Sequence, residues 1–158
     1  MEVHMIEIRR ATESDFHAIW EIFHRVVERG DTYPYAPDTP QEEAHSLWMS
    51  GSVETFVASS AGKMVGTYIL KPNQPGLGSH VANAGFMVNP EYQGRGIGKT
   101  MAEHAIKTAG ERGFLAMQFN FVVSTNQTAV TLWKKLGFVI VGTLPKVFRH
   151  QELGLVDA

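Results

Sequence analysis

A chain of 158 residues is the size of one domain, and 44% hydrophobic with 19% charged residues gives it enough apolar surface for a packed core, which excludes a disordered chain. The 14 Lys+Arg and 16 Asp+Glu leave a formal charge of −2, so no bulk electrostatic attraction draws it to nucleic acid. Absence of cysteine removes disulfides, thiolate zinc sites and cysteine nucleophiles; no apolar run approaches the roughly 18 residues that cross a bilayer, and Glu2, Glu7, Arg9 and Arg10 stand where a signal peptide needs an uncharged segment, so the sequence reads as a soluble cytoplasmic protein.

Ile6 and Ile8 alternate with Glu7 and Arg9, the pattern of a first strand with one buried face. A helix follows from about Ser14, with Phe16, Ile19, Trp20, Phe23 and Val27 at helical spacing and Gly30 as its stop. Asp31 to Pro40 holds three prolines and reads as a loop. Thr39, Pro40 and Glu42 then supply an N-cap, a proline at N1 and an acid at N3 for a short second helix ending near Ser50 and Gly51. Glu54–Ser59 and Met64–Leu70 form a hairpin about Ala61-Gly62. A Gly- and Pro-rich loop over 72–79 leads to a strand at Val81–Val88. Ile97, Met101, Ala105 and Ile106 mark a third helix ending near Gly113. Leu115 to Val123 is a near-continuous apolar run, as a strand buried on both faces would be. Thr125 caps a fourth helix carrying Val130, Trp133 and Leu136 that stops at Gly137, and Phe138–Leu144 is the last clear strand. No repeat, linker or low-complexity tract divides the chain, which reads as one domain over 1–158. The order is β-α-α-β-β-β-α-β-α-β, a mixed α/β fold with a largely antiparallel first half.

The segment Asn89-Pro90-Glu91-Tyr92-Gln93-Gly94-Arg95-Gly96-Ile97-Gly98-Lys99-Thr100 joins a strand to an amphipathic helix. The first turn of a helix has N–H groups without intrahelical acceptors and the positive end of the helix dipole. Glycines let the main chain approach a ligand closely, and Arg95 and Lys99 add positive charge, so this junction suits a pyrophosphate. Two familiar phosphate motifs fail by one residue each. A Walker A loop needs glycine where Gln93 stands, and the dinucleotide fingerprint needs glycine at Lys99.

What fits is Gln-x-x-Gly-x-Gly, met by Gln93, Gly96 and Gly98, which resembles the acyl-coenzyme A loop of the GNAT superfamily of N-acetyltransferases. Asn126, Ala129, Leu132, Trp133, Lys135, Gly137 and Phe138 resemble that family's second signature, and the opening Ile8-Arg9-Arg10-Ala11-Thr12 and the order of elements are also similar. The resemblance implies a mixed α/β fold whose mostly antiparallel sheet is flanked by helices, with two parallel strands, Val81–Val88 and Leu115–Val123, splayed to hold acetyl-CoA. It implies that pantetheine pairs with the strand edge at Phe86, Met87 and Val88. The pyrophosphate would rest on the loop from Gln93 and Gly94 through Arg95, Gly96, Ile97 and Gly98 to Lys99, and Asn126 would hold the pantetheine arm; a purely local role for Asn126 in its helix turn stays open. Transfer would be direct, from thioester to amine, with the Val88 N–H as oxyanion donor and no metal.

Two departures from the family stand out. Trp133 occupies the place of the usual tyrosine acid, and an indole N–H donates a hydrogen bond without protonating a thiolate. Water, Tyr68, Tyr33 or Tyr35 remain as substitutes. The strand Ala82–Val88 carries no carboxylate, so the base is unassigned; His80 and His150 are the two histidines that could carry a proton. Asn120 interrupts the run Phe119-Asn120-Phe121, either as a satisfied structural amide or to position substrate or water. Some relatives that acetylate small amino acids or their analogues have asparagine in this strand. Thr32, Tyr33 and Tyr35, with Asn120, are the candidate acceptor-binding residues; Tyr33 and Tyr35 could equally be lids over the core. Asp31 or Glu28 could hold a substrate ammonium. The histidines, His4, His17 and His24 among them, lack metal-binding spacing. The reading is an acetyl-CoA-dependent N-acetyltransferase acting on the primary amine of a small molecule, with an amino acid or an analogue of one as a candidate, as a homodimer without nucleic-acid or membrane partners. A protein N-terminal or lysine acetyltransferase and a non-catalytic acyl-CoA sensor are the alternatives. The resemblance also implies a seventh strand about where this sequence ends, either abbreviated or continued by residues beyond Ala158.

Overall fold

The computed structural model describes residues 5–158; Glu2 and His4 lie outside them. Five strands form the main sheet, in the order β1 (Glu7–Arg10), β2 (Glu54–Ser60), β3 (Lys63–Pro72), β4 (Val81–Val88) and β5 (Ala116–Met117). The first four are antiparallel neighbours and β4 runs parallel to β5. Ala61 and Gly62, at φ 49° and 75°, make the tight β2–β3 turn, as a two-residue hairpin loop with both residues at positive φ requires.

Alternation along the central strands sorts their side chains to two faces. Phe56, Tyr68, Leu70, Ala82 and Ala84 face one side, where α3 (Ile97–Glu111) covers them with Ile97, Met101, Ala105 and Ala109. Val57, Ile69 and Met87 face the other. There α1 (Phe16–Val27) packs Ile19, Ile22, Phe23 and Val27, and α2 (Gln41–Trp48) adds Ala44 and Trp48. Ile106, at 39% exposure, falls off the buried stripe of α3 that its spacing suggested. Trp48, fully buried, donates its indole N–H to Thr67 Oγ1 at 3.0 Å; that hydroxyl in turn donates to the Phe56 carbonyl at 2.8 Å. The chain of bonds ties α2 to the sheet.

Helix boundaries obey local hydrogen-bond competition. The Asp15 carboxylate accepts from the Thr12 backbone N–H and from both terminal nitrogens of Arg9, which fixes the entry to α1. Gly30, at φ 58°, ends the turn after α1. The cap of α2 is Pro40, one residue later than Thr39, because the Thr39 hydroxyl donates back to the Ala36 carbonyl at 2.6 Å. Likewise α4 (Gln127–Lys135) is capped by Asn126 and not Thr125: Asn126 Oδ1 accepts from the Ala129 N–H at 3.3 Å.

Two expected strands differ from the structure. Only Ala116–Met117 of the run 115–123 is laddered, and its residues are mostly exposed or half-buried; Leu115 is 82% exposed. Phe138–Leu144 is not a strand; Val139 and Val141 lie 80% and 92% exposed. An apolar run reports an affinity for burial but not the neighbour that supplies it, and a strand needs a ladder partner. The C-terminal pairing instead forms a separate hairpin of β6 (Phe148–His150) and β7 (Gly154–Val156). Beyond it Ser124 N–H donates to the Asp157 carbonyl, and Leu144 and Ala158 exchange two backbone bonds.

Candidate functional site

The site grows from the point where β4 and β5 part. Leu115 N–H donates to the His80 carbonyl at 2.9 Å and Gln118 N–H to the Ala82 carbonyl at 2.8 Å; past these the two strands share no backbone bond among the described residues. Register decides which groups of β4 face the resulting wedge. Asn73 donates to Val81 and Asn89 to Val65, so the bonded pairs with β3 fall at 67/87, 69/85 and 71/83. Met87 therefore turns its N–H and C=O into the sheet. Ala84, Phe86 and Val88 turn theirs outward, a row of main-chain donors and acceptors lacking strand partners.

At the end of β4 the chain makes the turn that sequence singled out. Asn89 Oδ1 accepts from the Glu91 N–H at 3.1 Å, starting a 3-10 turn over Pro90–Tyr92, and Arg25 of α1 holds the Glu91 carboxylate at 2.8 Å. Gln93 is extended and exposed. Gly94 and Gly96, at φ 76° and 77°, then reverse the chain into α3, a conformation that costs an L side chain about 1–2 kcal/mol. Gly96 is the N-cap, and Thr100 N–H donating to its carbonyl is the first rung of α3. The N–H groups of Gly96, Ile97, Gly98 and Lys99 are thereby left without intrahelical acceptors. Ile97 is buried and anchors the turn; Arg95 and Lys99 are exposed beside it, Arg95 over the Tyr92 ring at 5.1 Å and Lys99 3.8 Å from Glu103. Main-chain donors, a helix N-terminus and two cations form a cradle that fits a pyrophosphate.

An aromatic ridge lies under the wedge. Trp133 of α4 packs on Phe86 at 5.1 Å, Phe119 at 4.4 Å and Phe138 at 5.5 Å between ring centroids. Phe86 continues it to Tyr68 at 5.3 Å. Tyr68 does not reach the wedge with its hydroxyl, which lies 2.6 Å from His104 Nδ1 on α3. Burial pushes the Tyr68 phenol up and the His104 imidazole down, so both are held neutral. Sequence reasoning passed over His104, whose only signal is a polar residue one turn from Met101 and Thr108 on a packed helix.

On the opposite face the α1–α2 loop approaches β4. Tyr33 donates its hydroxyl to the Phe86 carbonyl at 2.5 Å and stacks on Tyr35 with rings 6° apart; burial raises both phenols above their ordinary range. Together they wall a half-open cavity of about 420 Å³, bounded on its other side by Phe148, Arg149, His150 and Gln151 of the β6–β7 hairpin. Gln151 N–H donates to the Gly30 carbonyl at 3.1 Å, and a Cβ on Gly30 would strike the Gln151 side chain, so glycine both ends the helix region and admits the hairpin. Sequence reasoning placed the tyrosines here but not the hairpin wall. Thr32 and Asn120 lie outside the lining. Asn120 is exposed, not buried, and its amide is satisfied by Asn73 at 2.7 Å and Gln118 at 3.0 Å. Glu28 is half-engaged with His24 at 3.4 Å. Asp31 meets Arg29 at 3.3 Å through one oxygen, while the other is buried without a partner; it too lies outside the lining. His150 Nδ1 accepts from the Glu152 and Leu153 N–H groups at 3.1 and 3.2 Å, a turn cap that needs an unprotonated nitrogen there. His80 is exposed at the start of β4.

A family model described as acetyltransferase (GNAT) family matches residues 15–138. The N-acetyltransferase aca1 of Schizosaccharomyces pombe is 31% identical over 149 residues, covering 84% of this chain and 71% of that protein. Phosphinothricin N-acetyltransferase of Streptomyces viridochromogenes is 26% identical over 148 residues, covering 88% and 77%. Among solved structures, a GCN5-related N-acetyltransferase from Kribbella flavida superposes with a TM-score of 0.92 at 44% identity, over 96% of this chain and 93% of that one.

Proposed function

We propose that this chain, which belongs to the acetyltransferase (GNAT) family and is an acetyl-CoA-dependent acetyltransferase, delivers the acetyl group to the primary amine of a small molecule. The observation that carries the acceptor class is the walled cavity of about 420 Å³. Its size is that of a small-ligand pocket, and Tyr33 ties its inner wall to the outward edge of β4, where the thioester would lie. A peptide acceptor would need a groove open at both ends; this pocket is bounded by Tyr33 and Tyr35 on one side and by the hairpin on the other. The similarity to an enzyme named for phosphinothricin agrees with a small amine.

In this reading the coenzyme is bound largely by main chain. The N–H groups of Gly96 to Lys99 take the pyrophosphate, with Arg95 and Lys99 beside it, and the outward groups of Ala84, Phe86 and Val88 pair with the pantetheine arm. Asn126 uses its oxygen to cap α4 and keeps its amide nitrogen for that arm. The N–H of Val88, or of Phe86 two residues before it, donates to the oxygen on which negative charge develops during attack. The cavity lining contains no carboxylate, so the amine must arrive neutral, its proton passed to water. Trp133 packs the ridge and supplies no proton. The thiol of the departing coenzyme resembles a cysteine thiol, with a pKa of about 8.5, so it can leave as the thiolate at neutral pH.

The test mixes the protein with acetyl-CoA and a panel of small primary amines, peptides with free N-termini and lysine peptides, and follows free thiol. Release with small amines and none with peptides is the expected result. Release only with peptides, or with no amine while thermal shift reports bound coenzyme, overturns the small-amine assignment.

A further inference from the structure

The arginines divide by partner. Of seven, Arg9 sits on Asp15, Arg10 and Arg112 on Glu54, Arg25 on Glu91 and Arg29 on Asp31. The two that meet no carboxylate among the described residues are Arg95, in the pyrophosphate cradle, and Arg149, on the wall of the acceptor cavity. In a protein of formal charge −2, where every other guanidinium has an acid, the unmatched pair marks the two places where a ligand brings the negative charge.

Arg149 is the middle residue of β6, opposite Leu155 in the hairpin register, so its backbone is fixed while its side chain is exposed. Its neighbours on the lining cannot neutralise it. Tyr33 and Tyr35 are phenols held neutral by burial, and His150 is committed through Nδ1 to two backbone N–H groups. We infer that Arg149 is a specificity-determining residue that binds the carboxylate of the acceptor, which makes the substrate an α-amino acid: the guanidinium takes the carboxylate while the amine points toward the β4 edge. A planar fork of donors matches a carboxylate in two parallel bonds. The same positive charge disfavours an ammonium nearby, which helps present the amine in its neutral, attacking form. This inference rests on the small-amine reading above.

The experiment screens the coded primary α-amino acids with acetyl-CoA and re-tests each accepted one as the amine that lacks its carboxylate, using wild type, Arg149→Gln and Arg149→Lys. Calorimetry measures binding of the same amino acids to the coenzyme A complex, and far-UV circular dichroism confirms the fold of each variant. Loss of a charge-assisted pair of bonds should raise KM for the amino acid about 10- to 100-fold in Arg149→Gln, with a much smaller change in kcat. The decarboxylated amine should be a poor substrate whose KM ignores the substitution, and Arg149→Lys should recover part of the loss. Equal effects on both members of a pair, an unchanged KM, or wild type that binds no amino acid would overturn the assignment. Arg149-dependent amino-acid binding without thiol release would leave the carboxylate site standing and remove the acetyl-transfer reading instead.

Discussion

Gly96→Ala isolates what the pyrophosphate cradle requires of its main chain. Gly96 has φ 77° and ψ 6°, and a Cβ built there meets nothing within 4 Å. Steric contact is therefore absent and the cost is backbone conformation alone, about 1–2 kcal/mol for an L residue held left-handed. Part returns because alanine has less freedom to lose on folding, leaving about 1 kcal/mol, which for a chain of this length lowers the thermal midpoint by about 2–4 °C. The larger effect should fall on coenzyme. To relieve φ, the peptide between Arg95 and Gly96 must rotate, and the N–H groups of Gly96 and Ile97 then lose their common aim. One misdirected charge-assisted bond costs about 1.5–3 kcal/mol, so the dissociation constant for coenzyme A should rise about 10- to 100-fold. Differential scanning calorimetry reads the first number and isothermal calorimetry the second. Gly51→Ala is the control, since Gly51 has open space around it and no positive φ. A Gly96→Ala protein that melts lower yet binds coenzyme as tightly as wild type would refute the cradle, because strain would be present without a ligand to feel it.

Arg95→Glu places a negative charge beside the same cradle; coenzyme A should bind at least about tenfold more weakly, with an effect that shrinks as salt rises, and a titration at two ionic strengths checks it. Thr67→Val removes the acceptor for the buried Trp48 N–H and should cost about 1–3 kcal/mol, read as a midpoint lower by several degrees with coenzyme affinity unchanged. His104 gives a pH signature. Burial lowers its pKa in the folded state, so below about pH 6.5 the unfolded chain takes up a proton that the folded chain refuses; this contribution to stability is present above that pH and declines as pH falls. Melting between pH 5 and 7.5 should slope less in His104→Gln than in wild type, and parallel slopes would contradict the assignment. Asp15 acts lower: bonds from Arg9 and Thr12 depress its carboxyl below 3.8, so its stabilisation is present above that value and fades as pH drops toward the folded-state pKa. Asp15→Asn should be less stable than wild type at pH 7 by under about 1 kcal/mol, since Arg9 is solvent-exposed, and the gap should narrow in acid.

The parts of this molecule that were legible in the sequence are those where one residue type has one physical use. Gly30, Gly96 and the Ala61-Gly62 turn announce left-handed backbone, and the cradle could be read because glycines, Arg95 and Lys99 fall together at a strand-to-helix junction. The stripe Ile19, Phe23 and Val27 likewise buried as its spacing says. Caps slipped by one residue where two polar groups compete: Thr39 chose the Ala36 carbonyl and Asn126 outdid Thr125. The segments 115–123 and 138–144 misled because apolar content does not name a ladder partner, and Asn120 followed them, being placed in a buried strand that is in fact exposed. Arg149 was invisible for another reason. Nothing in Phe148-Arg149-His150 marks a ligand; the residue stands out only after the other arginines have been matched to acids in three dimensions.

That contrast separates the two halves of the site by the kind of atom each uses. Coenzyme recognition, as proposed, is carried by N–H and C=O groups of Gly96–Lys99 and of the outward edge of β4, which depend on φ and register rather than on side-chain identity. Acceptor recognition, as proposed, falls to side chains on one loop, Tyr33 and Tyr35, and on the β6–β7 hairpin, Phe148 to Gln151. The two meet at one bond, Tyr33 hydroxyl to Phe86 carbonyl. β4 makes the separation possible: Met87 packs on the α1 side, Ala82, Ala84 and Phe86 pack against α3 and the ridge, and past the Gln118–Ala82 bond the outward backbone groups of β4 have no strand partner, the Phe86 carbonyl accepting only from Tyr33. Side chains at that edge can thus serve the core while its main chain serves the ligand. Ala82–Val88 contains no acidic side chain, so in this reading the strand offers the coenzyme its main chain and offers the amine no base. Chemistry at the thioester, as proposed, then depends on an amine that arrives already neutral, and on a cavity lining whose one fixed charge, Arg149, is positive.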